Sequence, residues 1–570
     1  MSERGGSERG DGRERGDGRG FLASRTRLPT VVRWLLDEQI PGGARIAYVF
    51  GSALLFLFAA QLFSGFSLAL SYSPSVAAAW ASVARLEASS LGHTLRSLHA
   101  HGATLLLLVV SLHLLQTAFA GAYRAPREVT WWLGLAMLVL LLAFCVTGSL
   151  LPWDERGYWA TRVTVGIAGT APLVGTALQR VLAAGPELGN LTLTRFYALH
   201  AVLLPALLFL LAACHVLLVR VHGVTPPKDA QGTESFWPRQ ALYDAAFALL
   251  LVAALWALAR SAGAPLQGPA DPAQAASPRP EWYFRPLFQL LKVLPGSLES
   301  VGALAAPLLA MAFLAALPFL DRDGARRLPV RLVLLGGFAS AAALGLASFR
   351  ADSQSAAFHE EQQAAERRSR KAQRLAATKG VLPEGALALL QNQPEERGAR
   401  LFAQVCANCH RVGSAGAEKA PRLDGFLSRP WIEGVLRNPD APEYFGHTKV
   451  SGMEGYGSLG AEKIALLTDY VHGLREPQTP AQESGRRLFA QSGCAECHAL
   501  KPGASEGGPT LAGYGSATWL RGLLHDPGGP LYYDAQNGMP DFGARLAAPD
   551  LEDLIVYLQS LEGALEGGNP

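Results

Sequence analysis

The chain has 570 residues, of which 17% are charged, a formal net charge of +3 and a positive mean hydropathy. It is too long for one hydrophobic core, and its apolar composition excludes an ordinary soluble enzyme. The small net charge gives no sign of a nucleic-acid surface or of an acidic substrate. A lipid membrane is therefore the first expected partner, and no nucleic acid is expected.

Residues 1–28 form an amino-terminal segment composed mainly of Gly, Arg, Glu and Ser. Such a segment cannot bury enough apolar surface to fold, so it is predicted to be a disordered tail. No short apolar region with a small-residue cleavage site precedes the first long apolar run, so we expect no cleavable signal peptide.

Seven apolar runs near or above membrane-spanning length follow this tail. They lie at about 45–70, 98–120, 131–151, 197–220, 241–260, 300–320 and 329–347. The loops after the second, fourth and sixth runs are rich in Lys and Arg: Arg124, Arg127, Arg220, Lys228, Arg239, Arg322, Arg326, Arg327 and Arg331. The positive-inside rule places these loops and the amino terminus in the cytoplasm. An odd number of crossings then places everything after the seventh run in the periplasm of a bacterium.

A charged, Ala- and Gln-rich segment at 350–395 is typical of a solvated helical linker. An internal duplication follows it. The string GARLFAQ at 398–404 is echoed by GRRLFAQ at 485–491, and Trp431 with its later Asn-Pro by Trp519 with Asp-Pro. Two copies of one small helical domain are predicted, at 396–478 and 479–570.

Six cysteines are present, and four of them lie in two C-x-x-C-H strings, Cys406–His410 and Cys494–His498. In this motif the thiols form thioethers to a haem and the histidine is its proximal ligand. One match alone could be chance or half of a zinc site. Two matches in duplicated units, with no spare cysteine nearby, predict two covalent haem c groups. Cys145 and Cys214 lie in apolar runs and are interpreted as small buried hydrophobes.

The thioether-bearing cysteines would be Cys406, Cys409, Cys494 and Cys497, with His410 and His498 as proximal ligands. The sixth ligands follow from the five methionines, because only two lie in the repeats. Met453 and Met539 occupy equivalent positions and are predicted to bind the two irons. His447, His472 and His525 are the weaker alternatives. Methionine ligation would raise the potentials and make the repeats electron acceptors.

Four histidines lie inside the apolar runs, His99 and His113 in the second and His200 and His215 in the fourth. Spacings of 14 and 15 residues are about four helical turns, so each pair shares a face, with its members about 21 Å apart. A single intramembrane histidine is usually an interhelical hydrogen-bond partner. Two matched pairs instead predict two non-covalent haem b groups, one between His99 and His200 and one between His113 and His215. His101 lies about 120° off that face.

Glycines in the first and third runs repeat the same spacing of 14 residues. They are Gly51, Gly65, Gly134 and Gly148. Without a side chain, the backbone at those depths can approach a haem plane closely. Ordinary helix packing is the alternative for each glycine alone. Arg96 and Arg195, near the outer ends of the second and fourth runs, are candidates to pair with haem propionates or to act as interfacial anchors.

Four strings resemble the cytochrome b of respiratory and photosynthetic bc-type complexes. They are RSLH at 96–99, PWDERGYW at 152–159, TRFYALH at 194–200 and PEWY at 280–283. The resemblance covers about residues 30–345. It implies an all-α fold, a seven-helix transmembrane haem-binding bundle divided into a four-helix part at 29–225 and a three-helix part with a quinol-site loop at 226–349. The two small helical c domains would follow this bundle.

The 15-residue histidine step and the absence of an eighth helix resemble the plastid-type branch of this family. Members of that branch are usually split into two subunits, whereas this chain is continuous. That branch also carries an extra covalent haem on a cysteine early in the first helix. Val49 occupies the matching position here, so the resemblance does not extend to that haem.

The resemblance implies that PEWY lines a quinol oxidation pocket, with Glu281 accepting a proton and Tyr283 shaping the site. A carboxylate at the edge of an apolar pocket can pass protons to water, which quinol oxidation requires. An interfacial aromatic belt is the alternative for Trp282 and Tyr283. Arg285 would either alter the pocket or face solvent.

The implied function is quinol oxidation at the outer face. One electron would pass to a high-potential chain, and the other through the two haem b groups to a quinone at the inner face. The chain lacks Cys and His pairs for an iron–sulfur cluster, so a separate Rieske protein would be required. A downstream cytochrome c or terminal oxidase, the quinone pool and a second copy of the chain are the other implied partners. Two alternatives remain: a non-bifurcating electron conduit to the periplasm, and a non-enzymatic wire or anchor.

Overall fold

The computed structural model describes residues 37–226, 231–274, 279–475, 482–501, 507–534 and 537–563. The predicted amino-terminal tail and Lys228 lie outside these ranges. The chain divides into two compact units, with the division between Leu387 and Ala388. Helices dominate both units, and the described strands form only two small antiparallel pairs. The all-α prediction is confirmed.

The first unit is a helical bundle with one short pair of strands. Its strands are β1 (Gln39–Pro41) and β2 (Thr233–Ser235), in which Gln39 lies opposite Ser235. Its helices are α1 (Val49–Ala69), α2 (Ala79–Ala88), α3 (Ser90–Ala120), α4 (Glu128–Leu150), α5 (Glu155–Gly169), α6 (Gly175–Ala183), α7 (Asn190–Ala198), α8 (Leu204–His222), α9 (Arg239–Ser261), α10 (Arg285–Val293), α11 (Gly296–Leu320), α12 (Arg327–Ser353) and α13 (Ala356–Lys379).

Seven of the described helical segments are long and apolar enough to cross a membrane. They correspond to α1, α3, α4, the continuous pair α7 and α8, α9, α11 and α12. Each contains most or all of one of the seven predicted runs, so the prediction of a multi-pass membrane protein is confirmed. Large apolar side chains remain exposed on their outer faces, among them Phe63 and Phe66, each 71% exposed. Lipid tails can cover such side chains, whereas water would not.

The interior of the bundle joins α1, α3 and α9. Leu57 of α1, Leu106 and Val109 of α3, and Leu251 and Leu255 of α9 form one buried apolar cluster. These side chains recur every three or four residues along each helix, so each helix presents one stripe to its neighbours. The packing fixes α1 against α3, and both of these helices carry predicted haem-site residues.

Asp321, at the end of α11, ties two loops together at the end of the bundle predicted to be cytoplasmic. Its buried carboxylate accepts hydrogen bonds from Tyr123, at 2.7 Å, and from Arg124. Burial alone would raise the pKa of Asp321, but these hydrogen bonds outweigh it and lower the pKa. Because the pair is buried, both partners are needed for the loops after α3 and α11 to stay joined.

Helix α13 covers the segment predicted to be a solvated linker, but one of its faces is packed against the bundle. Ser369 and Ala372 are buried, and Ser369 Oγ donates to the carbonyl of Leu266 at 2.6 Å. Arg368 forms an ion pair with Glu155, the first residue of α5. The sequence could not show this face, because it consists of single residues that contact partners distant in the chain.

The second unit contains the duplicated segments. Its helices are α14 (Ala386–Gln391) at the division, α15 (Pro394–Leu401), α16 (Arg429–Arg437), α17 (Ala461–His472), α18 (Glu483–Gln491), α19 (Cys494–Cys497), α20 (Ala517–His525) and α21 (Ala548–Ser560), and its strands are β3 (Arg411–Val412) and β4 (Ala415–Gly416). Equivalent capping supports the duplication: Ser428 Oγ accepts from the amide of Trp431, and Ser516 Oγ from that of Trp519. One continuous apolar core contains residues of both repeats.

Removal of the Arg368 side chain should loosen α13. Arg368→Ala leaves the nearly buried Glu155 carboxylate without its cation, a loss of about 1.5–3 kcal/mol. Amide hydrogen exchange in α13 should then rise roughly ten- to hundredfold. Arg370→Ala is the control, because Arg370 pairs with Glu366 on an exposed face. Equal exchange rates in the two variants would show that the ion pair does not hold the helix.

Candidate functional site

The four predicted haem-ligand histidines meet in pairs between α3 and the α7–α8 segment. The ring centroids of His99 and His200 lie 6.2 Å apart. His113 and His215, further along the same helices, are close enough to interact electrostatically. Two metal–imidazole bonds of about 2 Å each, with half of each ring added, fit a separation of this size. One ring from each helix thus lies near one from the other at two depths, which supports the predicted pairing of haem ligands.

A π-helical turn explains why the two histidine spacings differ by one residue. Residues Leu199–Leu203, which include His200, form this turn between α7 and α8. A π turn accommodates one more residue than an α turn, so 15 residues cover nearly the same rotation as 14 residues of regular helix. His200 and His215 thereby stay on one face, opposite His99 and His113.

Neighbouring groups fix the ring orientation of three of these histidines. His99 Nδ1 lies 3.0 Å from Ser64 Oγ, and His200 Nδ1 lies 3.2 Å from Thr147 Oγ1. Both hydroxyls already donate to a carbonyl of their own helix, at 2.8 Å, so each accepts from the ring. His215 Nδ1 donates to the carbonyl of Thr130 at 3.0 Å. With the hydrogen on Nδ1, the Nε2 lone pair is available to a metal.

His113 differs from the other three, because its Nδ1 is buried without a hydrogen-bond partner. A buried unpaired polar atom costs about 1–3 kcal/mol. The free energy of metal ligation at the other ring nitrogen would offset that cost.

Each of the four predicted glycines faces one of the four histidines. A Cβ atom added to Gly65 would lie 3.0 Å from His99 Cε1, and one added to Gly148 would lie 2.6 Å from His200 Cε1. Gly51 faces His113, at 3.9 Å, and Gly134 faces His215, at 3.6 Å, in the same way. Neutral imidazoles in pairs, with side-chain-free backbone beside each, fit two haem groups held between two ligands each.

The other histidine and the two arginines of this region have different partners. His101 Nε2 lies 2.8 Å from the carbonyl of Gly263, away from the paired rings, as predicted from its helical position. Arg96 pairs with Glu87 and donates to the carbonyl of Ala264. Arg195 donates to the carbonyl of Val181 at 3.1 Å. Pairing of Arg96 and Arg195 with propionates stays a prediction.

Three consecutive charged residues of the PWDERGYW string contact three different parts of the protein. Asp154 caps α5 by accepting from the amide of Gly157 at 2.9 Å, and burial raises its pKa. Glu155 binds α13, as described above. Arg156 forms an ion pair with Glu281 at 2.8 Å, with the two side chains 34% and 41% exposed. The ion pair links the predicted proton acceptor to the start of α5.

Tyr283 lies beside Glu281 and points into the protein. Its hydroxyl lies beside the Cys145 thiol, and burial raises the pKa of the tyrosine. The rings of Trp282 and Tyr283 are 5.6 Å apart and nearly perpendicular. Cys145 is thus a polar partner at this site as well as an apolar filler, a contact that the sequence analysis missed.

Arg285 is buried and does not face solvent. Its guanidinium lies 2.7 Å from Asp352, while Arg279 contacts the other oxygen of the same carboxylate at 2.9 Å. Arg285 also stacks over the ring of Phe349, 4.0 Å from its centroid. This cluster anchors the PEWY loop to α12. The only sign of this cluster in the sequence is Asp352, an aspartate that follows the seventh apolar run.

The two C-x-x-C-H motifs have matching geometry. In each, the first cysteine is buried and the second exposed, and none of the four is in a disulfide. His410 Nδ1 donates to the carbonyl of Pro421, and His498 Nδ1 to that of Pro509, both at 2.8 Å. Burial lowers the pKa of both histidines, so the rings are neutral at pH 7 and Nε2 is available to iron.

The candidate sixth ligands lie in the same unit. Met453 and Met539 are partly buried and pack against its shared core. Of the alternatives, His472 already contacts Glu562, with 2.6 Å between Nε2 and the carboxylate. Methionine as the sixth ligand stays a prediction. The contact of His472 with Glu562 supports it, because it occupies the Nε2 atom of that histidine.

Comparisons with known proteins agree with this arrangement. Residues 104–269 match the family described as cytochrome b (N-terminal)/b6/petB, and residues 269–349 match cytochrome b (C-terminal)/b6/petD. Residues 395–475 match cytochrome c, and residues 480–558 match cytochrome c oxidase, cbb3-type, subunit III.

Among the relatives, the cytochrome b6 of Cyanidium caldarium is 36% identical over 208 residues, which are 36% of this chain and 97% of that protein. The chain belongs to the cytochrome b family. The cytochrome bc complex cytochrome b subunit of Chlorobaculum thiosulfatiphilum is 36% identical over 281 residues, 46% of this chain and 64% of that protein, slightly less than two thirds of its length. A solved structure titled Hyperthermophilic respiratory Complex III superposes with a TM-score of 0.52 and 27% identity, covering 58% of this chain and 91% of that one.

Cytochrome b domains followed by cytochrome c domains imply both haem b and haem c, and they make this chain a haem protein of electron transport. The seven-helix bundle and the carboxy-terminal helical c domains predicted from the resemblance are confirmed. The particular haem ligands stay predictions, which the paired rings and facing glycines support.

A side chain at Gly148 should remove one haem b. In Gly148→Val the new methyl groups would collide with the His200 ring, so the spectrum of the reduced membranes should lose about half of its b-type absorption while the c-type absorption is unchanged. Gly337→Val is the matched control, because a Cβ there meets open space within another membrane helix. Full haem b content in Gly148→Val would contradict the haem site.

Proposed function

We propose that this cytochrome b is the quinol-oxidising subunit of a quinol:cytochrome c oxidoreductase that works by a Q-cycle. The paired histidines at two depths between α3 and the α7–α8 segment carry the proposal, because two ligand pairs at different depths would define a route across the membrane. When bound, two haem b groups would supply electron transfer along this route, and two haem c groups would supply it outside the membrane.

Glu281 is the proposed proton acceptor for quinol. Its side chain is 41% exposed, so a proton taken from the substrate can pass on to water. Arg156 orients this carboxylate through the 2.8 Å ion pair, and the half-buried Tyr283 lies beside it. The cluster of Arg285 and Asp352 holds the loop in place beneath.

Quinol oxidation releases two electrons and two protons, so two acceptors are required. One electron would enter the route across the bundle and reduce a quinone near the inner face. The other would pass to a separate Rieske iron–sulfur protein and then to the c domains, because four of the six cysteines are used by the C-x-x-C-H motifs. The c domains would deliver electrons to a further cytochrome c or a terminal oxidase.

The proposed setting is the inner membrane of a bacterium. The amino terminus would be cytoplasmic, as would the loops that contain Arg124 and Arg326, and the c domains would be periplasmic. The chain is similar to the cytochrome b subunit of a bc complex and to a chain of a respiratory Complex III, which supports assembly into such a complex. A homodimer is proposed on the same resemblance.

Replacement of the Glu281 carboxylate should slow quinol oxidation. Glu281→Gln preserves the shape of the side chain but cannot accept a proton at pH 7, so the rate at which quinol reduces the c haems in membranes should fall on the order of a hundredfold. The b and c haem content should not change. Glu384→Gln, at an exposed position, is the control. An unchanged rate in Glu281→Gln would exclude this residue as the acceptor.

A further inference from the structure

The first helix of each c repeat packs on the last helix of the other repeat. Helix α15 of the first repeat crosses α21 of the second so closely that a Cβ on Gly398 would overlap the backbone of Asp553. Arg397 makes two contacts with the Asp553 carboxylate, at 2.5 and 2.7 Å. The rings of Phe402 and Tyr557 lie 5.4 Å apart. This crossing leads directly into the first C-x-x-C-H motif.

The equivalent crossing of the other pair of helices joins α18 of the second repeat to α17 of the first. A Cβ on Gly485 would lie 2.6 Å from Tyr470 Cβ, and the rings of Tyr470 and Phe489 are 5.5 Å apart. These residues are the repeat equivalents of Gly398, Tyr557 and Phe402. Within the described segments, neither first helix packs comparably on the last helix of its own repeat. The two repeats have therefore exchanged helices, as domain-swapped protomers do.

The loop that contains Met453 also contacts the other repeat, as the exchanged helices do. The side chain of Tyr456, three residues after Met453, lies beside that of Cys494, the first cysteine of the other repeat's motif. The same loop is fixed to α16 by the amide of Tyr456, which donates to the carbonyl of Leu436 at 2.8 Å. Three residues of chain span at most about 11 Å, so Met453 lies within reach of a haem attached at Cys494.

The proximal histidine of each motif, by contrast, contacts only its own repeat through its Nδ1 hydrogen bond. His410 donates to Pro421 and His498 to Pro509, in each case within one repeat. Each haem would thus have a proximal half from its own repeat and a distal half from the other.

We propose that both c haems occupy composite pockets. The haem on Cys494 and Cys497 takes Met453 as its sixth ligand, and the haem on Cys406 and Cys409 takes Met539. This inference rests on the proposed function in one respect, the presence of a haem on both motifs. It changes the meaning of the duplication, because neither repeat alone contains a complete haem site.

Ligand assignment can be tested one haem at a time in the full-length chain. With Cys494 and Cys497 both replaced by Ser, only the haem on Cys406 and Cys409 remains. In that background Met539→Leu should abolish the weak near-infrared charge-transfer band that methionine gives to an oxidised haem, and Met453→Leu should preserve it. The opposite result would overturn the proposal.

The mirror experiment removes the other haem. With Cys406 and Cys409 replaced by Ser, Met453→Leu should abolish the band and Met539→Leu should preserve it. A haem count on the unmodified chain separates the two proposals. Fewer than two covalent haems would contradict the proposed function, whereas two haems with the band lost in the wrong variant would contradict only the composite pockets.

A second measurement uses the chain with both haems in place and does not depend on the folding of a single-haem variant. A protease site is inserted between Arg475 and Gln482, and the purified protein is cut there. Composite pockets require both halves to stay together on a sizing column in detergent, with both charge-transfer bands retained. Release of the carboxy-terminal half with its own haem and band intact would overturn the proposal.

Discussion

Imidazole rings buried in pairs within an apolar bundle impose the constraint on which the membrane unit depends. Each of the four rings meets a neighbouring helix that carries no side chain at that depth, and in three of them Nδ1 also has a hydrogen-bond partner. Ser64 and Gly65 provide this for His99, and Thr147 and Gly148 for His200. In both cases the hydrogen-bond acceptor directly precedes the glycine. One short dipeptide thus orients the ring and leaves space beside it.

How much of this could be predicted from sequence depends on whether the signal is local. The apolar runs, the histidine and glycine spacings and the C-x-x-C-H motifs are periodic or contiguous, so they predicted the bundle, the pairing of the histidines and the presence of glycines at the same depths. The π turn at Leu199–Leu203 was visible only as a surplus residue, since a count does not show where a helix widens. The Arg285–Asp352 pair and the helix exchange involve residues far apart in the chain, and a single sequence does not encode such contacts in any readable pattern.

At the end of the bundle predicted to face the periplasm, the PWDERGYW string connects α13 to the PEWY loop. Glu155 holds α13 and Arg156 holds Glu281, and both are positioned by Asp154 at the cap of α5. Because these residues are adjacent, a shift of α5 moves both contacts together. The helix after the last membrane span and the predicted proton acceptor therefore share one rigid support.

Size explains why two small c repeats would share their interior. A domain of about 60 residues buries only about 60% of the surface of its unfolded chain, whereas one of about 150 residues buries close to 70%. Leu427 of the first repeat packs on Gly515 of the second, and one apolar core contains both repeats. Fusion in one chain keeps the partner at a high effective concentration, so the exchange of helices carries little of the entropic cost that it would carry between separate molecules. The same exchange would hold both haems in one body, so that electron transfer between them would not wait for two domains to move into position.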